Sequence, residues 1–139
     1  MFQVLVGTAV VENGKVLLVK EKKANVAGLL NLPAGHLEAG ENLIEGAKRE
    51  LKEETGFDSE IDTLIDFERF EARGDSYLWF IFSAKIDHKT AQKNELDFDF
   101  YDIDYIKKYP ELLRDQRVLP RIIDRLTKKR TLKNILCEQ

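Results

Sequence analysis

Residues 35–57 read GHLEAGENLIEGAKRELKEETGF, and within them Arg49, Glu50, Glu53 and Glu54 set one cation and three carboxylates into six positions of a helix-patterned segment. At about 100° per residue, Leu43, Ile44, Ala47 and Leu51 fall in one arc of roughly 100°, the buried stripe of an amphipathic helix. Glu45, Lys48, Arg49 and Lys52 take the opposite, solvated side. Glu50 and Glu54, four apart, share a face, and Glu54 points into the apolar arc. Glu53 and Gly46 lie on the adjoining shoulder.

Carboxylates side by side repel one another, and one aimed at a core edge resists ionisation unless a positive partner faces it. A divalent cation answers both difficulties. Oxygen ligands in this number suit a hard ion such as Mg²⁺, which typically bridges protein acids to substrate phosphates. Such an ion can polarise a phosphate and activate the water that attacks it. The plainer reading is the solvated face of a charge-rich helix, and it accounts for Glu45, Lys48 and Lys52. It leaves unexplained the inward aim of Glu54 and the glycines at 35 and 40 just before the helix.

The segment resembles the Nudix box, written G, five residues, E, seven residues, REUxEExGU, with U a bulky apolar residue. Gly35, Glu41, Arg49, Glu50, Leu51, Glu53, Glu54, Gly56 and Phe57 stand at the fixed positions, Phe57 being the loosest fit. Nine specified positions over 23 residues are far more specific than a lone glycine motif. The resemblance implies a loop–helix–loop that binds Mg²⁺ or Mn²⁺, with Glu50, Glu53 and Glu54 as metal ligands and the Gly35 carbonyl as a further one. Arg49 would hold a glutamate in place and Glu41 would join the same network. The implied activity is hydrolysis of a nucleoside diphosphate linked to another moiety, by water attack on phosphorus. For the general base, Glu53 is the expectation. Glu95, at the start of the last strand, is a candidate additional ligand or base, against the plain reading of an exposed loop residue. Ala34 replaces a glycine common in the family, a mild change.

Local chemistry agrees with a helix here. Gly40 and Glu41 precede it, Gly56 is placed for a left-handed cap, and Pro33–Gly35 form a bend whose Gly35 carbonyl would escape any regular ladder. The chain of 139 residues fits a single domain, 1–139, with 43% hydrophobic and 34% charged residues, a balance that marks an ordered globule. A net charge of −3 gives no reason to expect nucleic acid as an obligate partner. The lone Cys137 allows no internal disulfide and fits a reducing compartment. With no membrane-span-length apolar run and no signal-peptide pattern at the N-terminus, the expected location is cytoplasmic. A homodimer is compatible with all of this.

Val- and Leu-rich runs at 2–11 and 15–21 flank Asn13-Gly14, a hairpin signal, and Lys22–Leu30 reads as a loop. Ile61, Thr63, Ile65 and Phe67 alternate as a strand would. Tyr77–Ile86 is apolar almost throughout, as in a central strand. After a polar connection over 87–94, Leu96, Phe98 and Phe100 alternate with Asp97, Asp99 and Tyr101. A helical piece follows near Ile103–Tyr109, with Pro110 as a break, and a final helix from Val118 to about Lys133. Strands on both sides of a central helix, with a helix at the end, predict an α+β fold with a mixed sheet covered on both faces. The family resemblance implies the same α/β/α sandwich.

Substrate identity rests outside the box. Phe2, Phe70, Tyr77 and Trp79 could stack on a base, although strand aromatics are more often core. The stretch Ala72–Asp75 lacks the proline associated with ADP-ribose enzymes of the family, and Tyr77 is displaced from the tyrosine associated with dinucleoside polyphosphates. These absences favour a nucleoside triphosphate or another small organic pyrophosphate as substrate. The wording LPAGHLE is similar to a bacterial branch with broad nucleotide and thiamine-precursor pyrophosphate specificity. Arg114, Arg117, Arg121, Arg125, Lys128, Lys129, Arg130 and Lys133 form a basic strip with only Asp115 and Asp124 among them. It reads as the wet face of an amphipathic helix whose Val118, Ile122 and Leu126 pack inward, or as a surface steering triphosphates or an RNA 5′ end. His36 and His88 form no spaced metal pair. Two alternatives to a pyrophosphohydrolase, an inactive Nudix-fold binding or sensor module and an isopentenyl diphosphate isomerase, fit less well. The glutamate cluster is intact, and Cys137 is too near the end to serve as a core nucleophile.

Overall fold

A computed structural model describes residues 2–128; Cys137 and the expected helical residues beyond Lys128 lie outside them. The elements run β1 (Phe2–Ala9), β2 (Val11–Glu12), β3 (Lys15–Lys20), β4 (Leu30–Asn31), β5 (Ala34–His36), α1 (Leu43–Thr55), β6 (Phe57–Ala72), β7 (Asp75–Lys89), β8 (Phe98–Asp102), α2 (Ile103–Lys108), a 3₁₀ turn (Pro110–Leu112) and α3 (Val118–Lys128).

The expected mixed sheet is divided in two. One sheet has the order β5-β1-β7-β6, with β1 parallel to β7 and the other pairs antiparallel. The second joins β2, β3 and β4, with β8 on the other side of β3. Asn13 and Gly14 do form the expected turn, both at positive φ, but the hairpin closes on the two residues of β2. The apolar run 2–11 therefore serves both sheets, since β1 ends at Ala9 and Val10 accepts from the Leu17 amide.

The α/β/α layering holds. Ala47 and Leu51 of α1 pack on Val6 and Phe82 of the first sheet and on Val10, Leu17 and Ala84. On the opposite side Ile103, Ile106, Val118, Leu119, Ile122 and Ile123 cover Val16, Leu18, Trp79 and Ile81. β3 thus sends Leu17 to one helical layer and Val16 and Leu18 to the other, which is why KVLLVK reads as continuously apolar. Trp79 belongs to this core and is not a stacking surface.

Three expectations need correction. Ile44 is 49% exposed. It shares an angle with the buried Leu51 and Thr55 but lies two turns away, so position along the helix decides its exposure. The helix start is set by Asn42, whose Oδ1 accepts from the Glu45 amide at 2.8 Å while the Glu45 carboxylate reaches back to the Asn42 amide. Glu45 is therefore half of a capping box, not merely surface.

The third concerns β6, which runs far past Ile61–Phe67 and carries register shifts between Phe57/Ser59, Ile61/Thr63 and Leu64/Asp66. Leu64 pairs with Phe82 and packs toward α1, whereas Asp66 pairs with Ile81 on the side of α3. The shift at Ile61/Thr63 leaves Ile61 and Leu64 on the α1 side, so that Ile65 falls on the far side, and the shift at Leu64/Asp66 keeps Asp66 there beside it. The period-2 reading had placed Ile61 and Ile65 on one face.

Candidate active site

The turn after β4 and the strand β5 bring Ala34 and Gly35 against the inward face of α1. The Ala34 amide donates to Glu54 Oε1 at 3.0 Å. A Cβ at Gly35 would fall on the Glu50 carboxyl group, so the glycine is required by contact: the carboxylate rests on bare backbone. A methyl at Gly46 would strike Leu37 in the loop before the helix.

Gly35 lies in β5 opposite Val6, with Thr8–Pro33 and Leu37–Val4 hydrogen bonds at the flanking positions of the same register. The expectation that its carbonyl escapes every ladder is thus corrected: Gly35 is a ladder residue. A carbonyl in a ladder still has a second lone pair.

Arg49 is the hub. Its Nε donates to Glu41 Oε2 at 2.6 Å and its Nη2 to Glu41 Oε1 at 3.0 Å, a two-pronged grip on one carboxylate. Nη1 donates to Glu50 Oε1 at 2.8 Å and to Glu53 Oε2 at 3.2 Å, and Nη2 also reaches the His36 carbonyl at 2.9 Å. Glu38 supports the arrangement, its amide donating to Glu41 Oε1 at 2.9 Å. Glu38 and the His36 carbonyl were not marked from sequence, since neither position is fixed in the box.

The charges do not balance. Hydrogen bonding to Arg49 holds the Glu41 carboxyl below its ordinary range, and the Arg49 guanidinium is driven further up by Glu41 and Glu50. Burial pushes Glu50 up despite its Arg49 bond, with Glu53 and Glu95 adding repulsion. Burial raises Glu54 to about 8, opposed by the Ala34 amide and reinforced by the charges of Glu50, Glu21 and Glu95. Three box acids, Glu41, Glu50 and Glu53, share one guanidinium, while Glu54 has only an amide. Among the described residues no three acids already converge as a closed metal cage. Glu50 and Glu53 instead turn oxygens toward Arg49.

Glu95 precedes β8 rather than beginning it. It is exposed, yet its amide donates to the Glu53 carbonyl at 2.9 Å. Glu21, at the end of β3, was missed; its carboxylate acts electrostatically on Glu54 and binds Arg114 at 2.6 Å. Beside the Arg49 network a shallow depression of about 560 Å³ is lined by Phe2, Gln3, His36, Leu37, Glu38 and Glu41, among others. Phe70 and Tyr77 stack on each other with ring centroids 5.0 Å apart, and Tyr77 lies 6.4 Å from the His36 ring.

The basic strip is largely spoken for. Arg114 pairs with Glu21, Arg121 with Asp66 and Glu68, and Arg125 with Asp66. Val118 and Ile122 are buried and Leu126 packs on the core, as expected, but Arg125 is 4% exposed and so not on a wet face. Its acid, Asp66, comes from β6, distant in sequence. The side chain of Lys128, and Lys129, Arg130 and Lys133, lie outside what the structure describes.

An α/β/α sandwich that presents an arginine-bound acid cluster on a loop–helix–loop defines the class of protein. The chain belongs to the NUDIX domain family, whose model matches residues 1–122. It is 42% identical over 74 residues to the human "8-oxo-dGDP phosphatase NUDT18", covering 53% of this chain and 22% of the relative. It is 38% identical over 98 residues to "Phosphatase NudJ" of Escherichia coli K12, covering 69% of this chain and 63% of that protein. The chain thus spans less than two thirds of either relative. Among solved structures, a NUDIX hydrolase from Nitrosomonas europaea superposes with a TM-score of 0.82 at 27% identity, over 93% of this chain and 90% of that one. Among the described residues no helix is long and apolar enough to cross a membrane.

Proposed function

We propose that the protein is a metal-dependent pyrophosphohydrolase acting on a nucleoside di- or triphosphate or a related organic pyrophosphate. The observation that carries this reading is the under-compensated acid pair Glu50 and Glu54, half-buried against Gly35 and Ala34 with a single guanidinium nearby. Burying carboxylates in this way is unfavourable unless a cation completes the site. The residues fit Mg²⁺ or Mn²⁺: Glu50, Glu53 and Glu54 supply hard oxygen ligands, the second lone pair of the Gly35 carbonyl is a further donor, and Glu95 is near enough to perturb Glu50 and Glu54. When bound, such an ion neutralises phosphate charge and acidifies the attacking water.

The chain's own residues have separable tasks. Arg49 keeps Glu50 and Glu53 aligned through Nη1 while Glu41 fixes the guanidinium from the other side. Glu53, whose side chain is 33% exposed, is the box acid open to water and serves as the proton acceptor. The water oxygen bonds to phosphorus, its proton passes to Glu53, and the bridging P–O bond breaks with its electron pair leaving on the departing phosphate. The names of the two relatives support a phosphate-bearing substrate, a nucleoside diphosphate in the case of the human protein. The assay that tests the reading is a panel of nucleoside di- and triphosphates, sugar nucleotides, dinucleoside polyphosphates and thiamine-pathway pyrophosphates, incubated with Mg²⁺ and resolved by product. Failure to cleave any of them above a metal-free control would refute it.

Glu54 gives a pH prediction. Its carboxyl sits near 8 when folded against an ordinary 4.5, so between these values the folded metal-free chain holds a proton that the unfolded chain has lost. This contribution to stability is fully present below the unfolded value and disappears as pH rises through about 8. Metal binding requires the ionised form, so stabilisation by saturating Mg²⁺ should grow from pH about 5 to about 8.5. Thermal melts with and without Mg²⁺ measure it. Glu54→Gln, which imitates the protonated acid, should flatten the metal-free profile and shrink the Mg²⁺ gain; a pH-independent gain in the wild type contradicts the prediction.

A further inference from the structure

The C-terminal end of α1 carries Glu53 and Glu54 in its last three residues, where a helix is least able to hold its own backbone. The Lys52 carbonyl is taken by the cap, Gly56, at 2.7 Å. The next four carbonyls, of residues 53–56, have no partner within the helix, and one short segment meets them all. The Glu95 amide donates to Glu53 O at 2.9 Å and the Leu96 amide to Glu54 O at 3.2 Å. Lys89 Nζ donates to Thr55 O at 2.9 Å. Thr90 donates to Gly56 O twice, through its amide and its hydroxyl, both at 2.8 Å.

We propose that residues 89–96 form a clamp that holds the carboxylates of Glu53 and Glu54 at the metal face, with Lys89 as its positioning residue. The inference rests on the reading that these carboxylates bind a divalent ion.

Lys89 is placed for this by the β6–β7 ladder, in which it pairs with Phe57, the last residue of the box. Its ammonium lies 5.8 Å from the Phe57 ring centroid and 5.6 Å from that of Phe98, and it sits at the negative end of the helix dipole, where a cation is favoured. Gly56, at φ 81°, makes the approach physically open: a Cβ there would strike Lys89 Nζ and lie 2.9 Å from the Gln92 carbonyl. The box glycine therefore has two duties in this chain, the left-handed cap and clearance for the clamp.

The other end of the segment is pinned as well. Lys22 Nζ donates to the Glu95 carbonyl at 2.5 Å and Asn94 Nδ2 to the Leu96 carbonyl at 2.8 Å. The segment spans from β7 of one sheet to β8 of the other, so the end of α1 is held between both sheets. The same bonds set the backbone of Glu95 next to that of Glu53. Losing the clamp would let the last turn fray and move two carboxylates, and displacements near 1 Å at a reacting centre can cost about 10²-fold.

The test uses Lys89→Met, Lys89→Arg and Thr90→Val in the full chain. Amide hydrogen exchange of residues 53–56 is measured without metal, Mn²⁺ affinity by calorimetry, and kcat and KM on whichever pyrophosphate the wild type cleaves. Lys89→Met and Thr90→Val should speed exchange in the last turn of α1 while β1 and β7 stay protected. They should weaken Mn²⁺ binding by about 10-fold or more and lower kcat with KM little changed, and Lys89→Arg should restore all three. Unchanged Mn²⁺ affinity in both Lys89→Met and Thr90→Val, or a uniform loss of protection across the fold without a metal effect, would overturn the clamp. A wild-type chain that binds no Mn²⁺ would instead overturn the metal reading on which it rests, and the positioning role with it.

Discussion

Glu53→Gln is expected to lower Mg²⁺-dependent turnover by about 10²- to 10⁴-fold, the range spanned by losing a positioned acid–base group, with the thermal midpoint of the metal-free protein nearly unchanged. The amide keeps the shape of the side chain and a carbonyl oxygen able to accept from Arg49 Nη1, but it cannot take a proton from water. Stability should hold because Glu53 is more solvated than Glu50 and only one of several carboxylates on Arg49. Its bond to Nη1, at 3.2 Å, is also longer than those of Glu41 and Glu50. Turnover within a fewfold of wild type would remove Glu53 as base and shift the role to Glu95, whose backbone is fixed beside it. Parallel assays of Glu95→Gln separate the two, since only the base should show the larger loss in kcat.

How much of this was readable in the chain depends on the range of the interaction. The helix, its cap at Gly56 and the common face of Glu50 and Glu54 follow from local spacing, and the structure places Ala34 and Gly35 against that face. The role of Arg49 as hub was readable only in outline. Its bonds to Glu41, Glu50 and Glu53 lie within the motif, but the His36 carbonyl depends on how the preceding loop returns. Glu21 could not be assigned, because its position beside Glu54 comes from β3 docking in the second sheet. The division of the sheet at Val10 left no mark in the Val-rich stretch 2–11. The Ala72–Asp75 stretch was read only for missing subfamily markers, although Arg73 and Gly74, both at positive φ, form the tight turn joining β6 to β7. The signal was an X-Gly pair between two apolar runs.

The sharpest misreading, the wet basic face of α3, leads to the second large effect. Asp66 is fully buried, and its carboxylate takes Arg125 Nη1 on one oxygen and Arg121 Nε at 3.2 Å on the other, with Glu68 holding Arg121 from β6. Charge counted along the C-terminal stretch gave an excess of cations because their partners lie more than fifty residues earlier. The register shift between Leu64 and Asp66 keeps Asp66 on the α3 side together with Ile65, within reach of both arginines.

Asp66→Ala should therefore destabilise the fold by about 3–5 kcal/mol, the cost of removing one partner from a buried ion pair. That is a substantial share of the 5–15 kcal/mol typical of a whole domain, and should appear as a drop in Tm on the order of 10 °C. Glu68→Gln should cost far less, since Arg121 keeps Asp66. The diagnostic comparison is the double variant Asp66→Ala/Arg125→Met. If the loss comes from an uncompensated buried charge, removing that charge while keeping apolar volume should recover much of the stability. If it comes from a packing void beside Ile81, the double variant will be no better than the single. Chemical denaturation of the four proteins decides between these. A loss below about 1 kcal/mol in Asp66→Ala would mean the pair behaves as a surface salt bridge, and α3 would then be held to the sheet by its apolar residues Val118, Leu119, Ile122, Ile123 and Leu126.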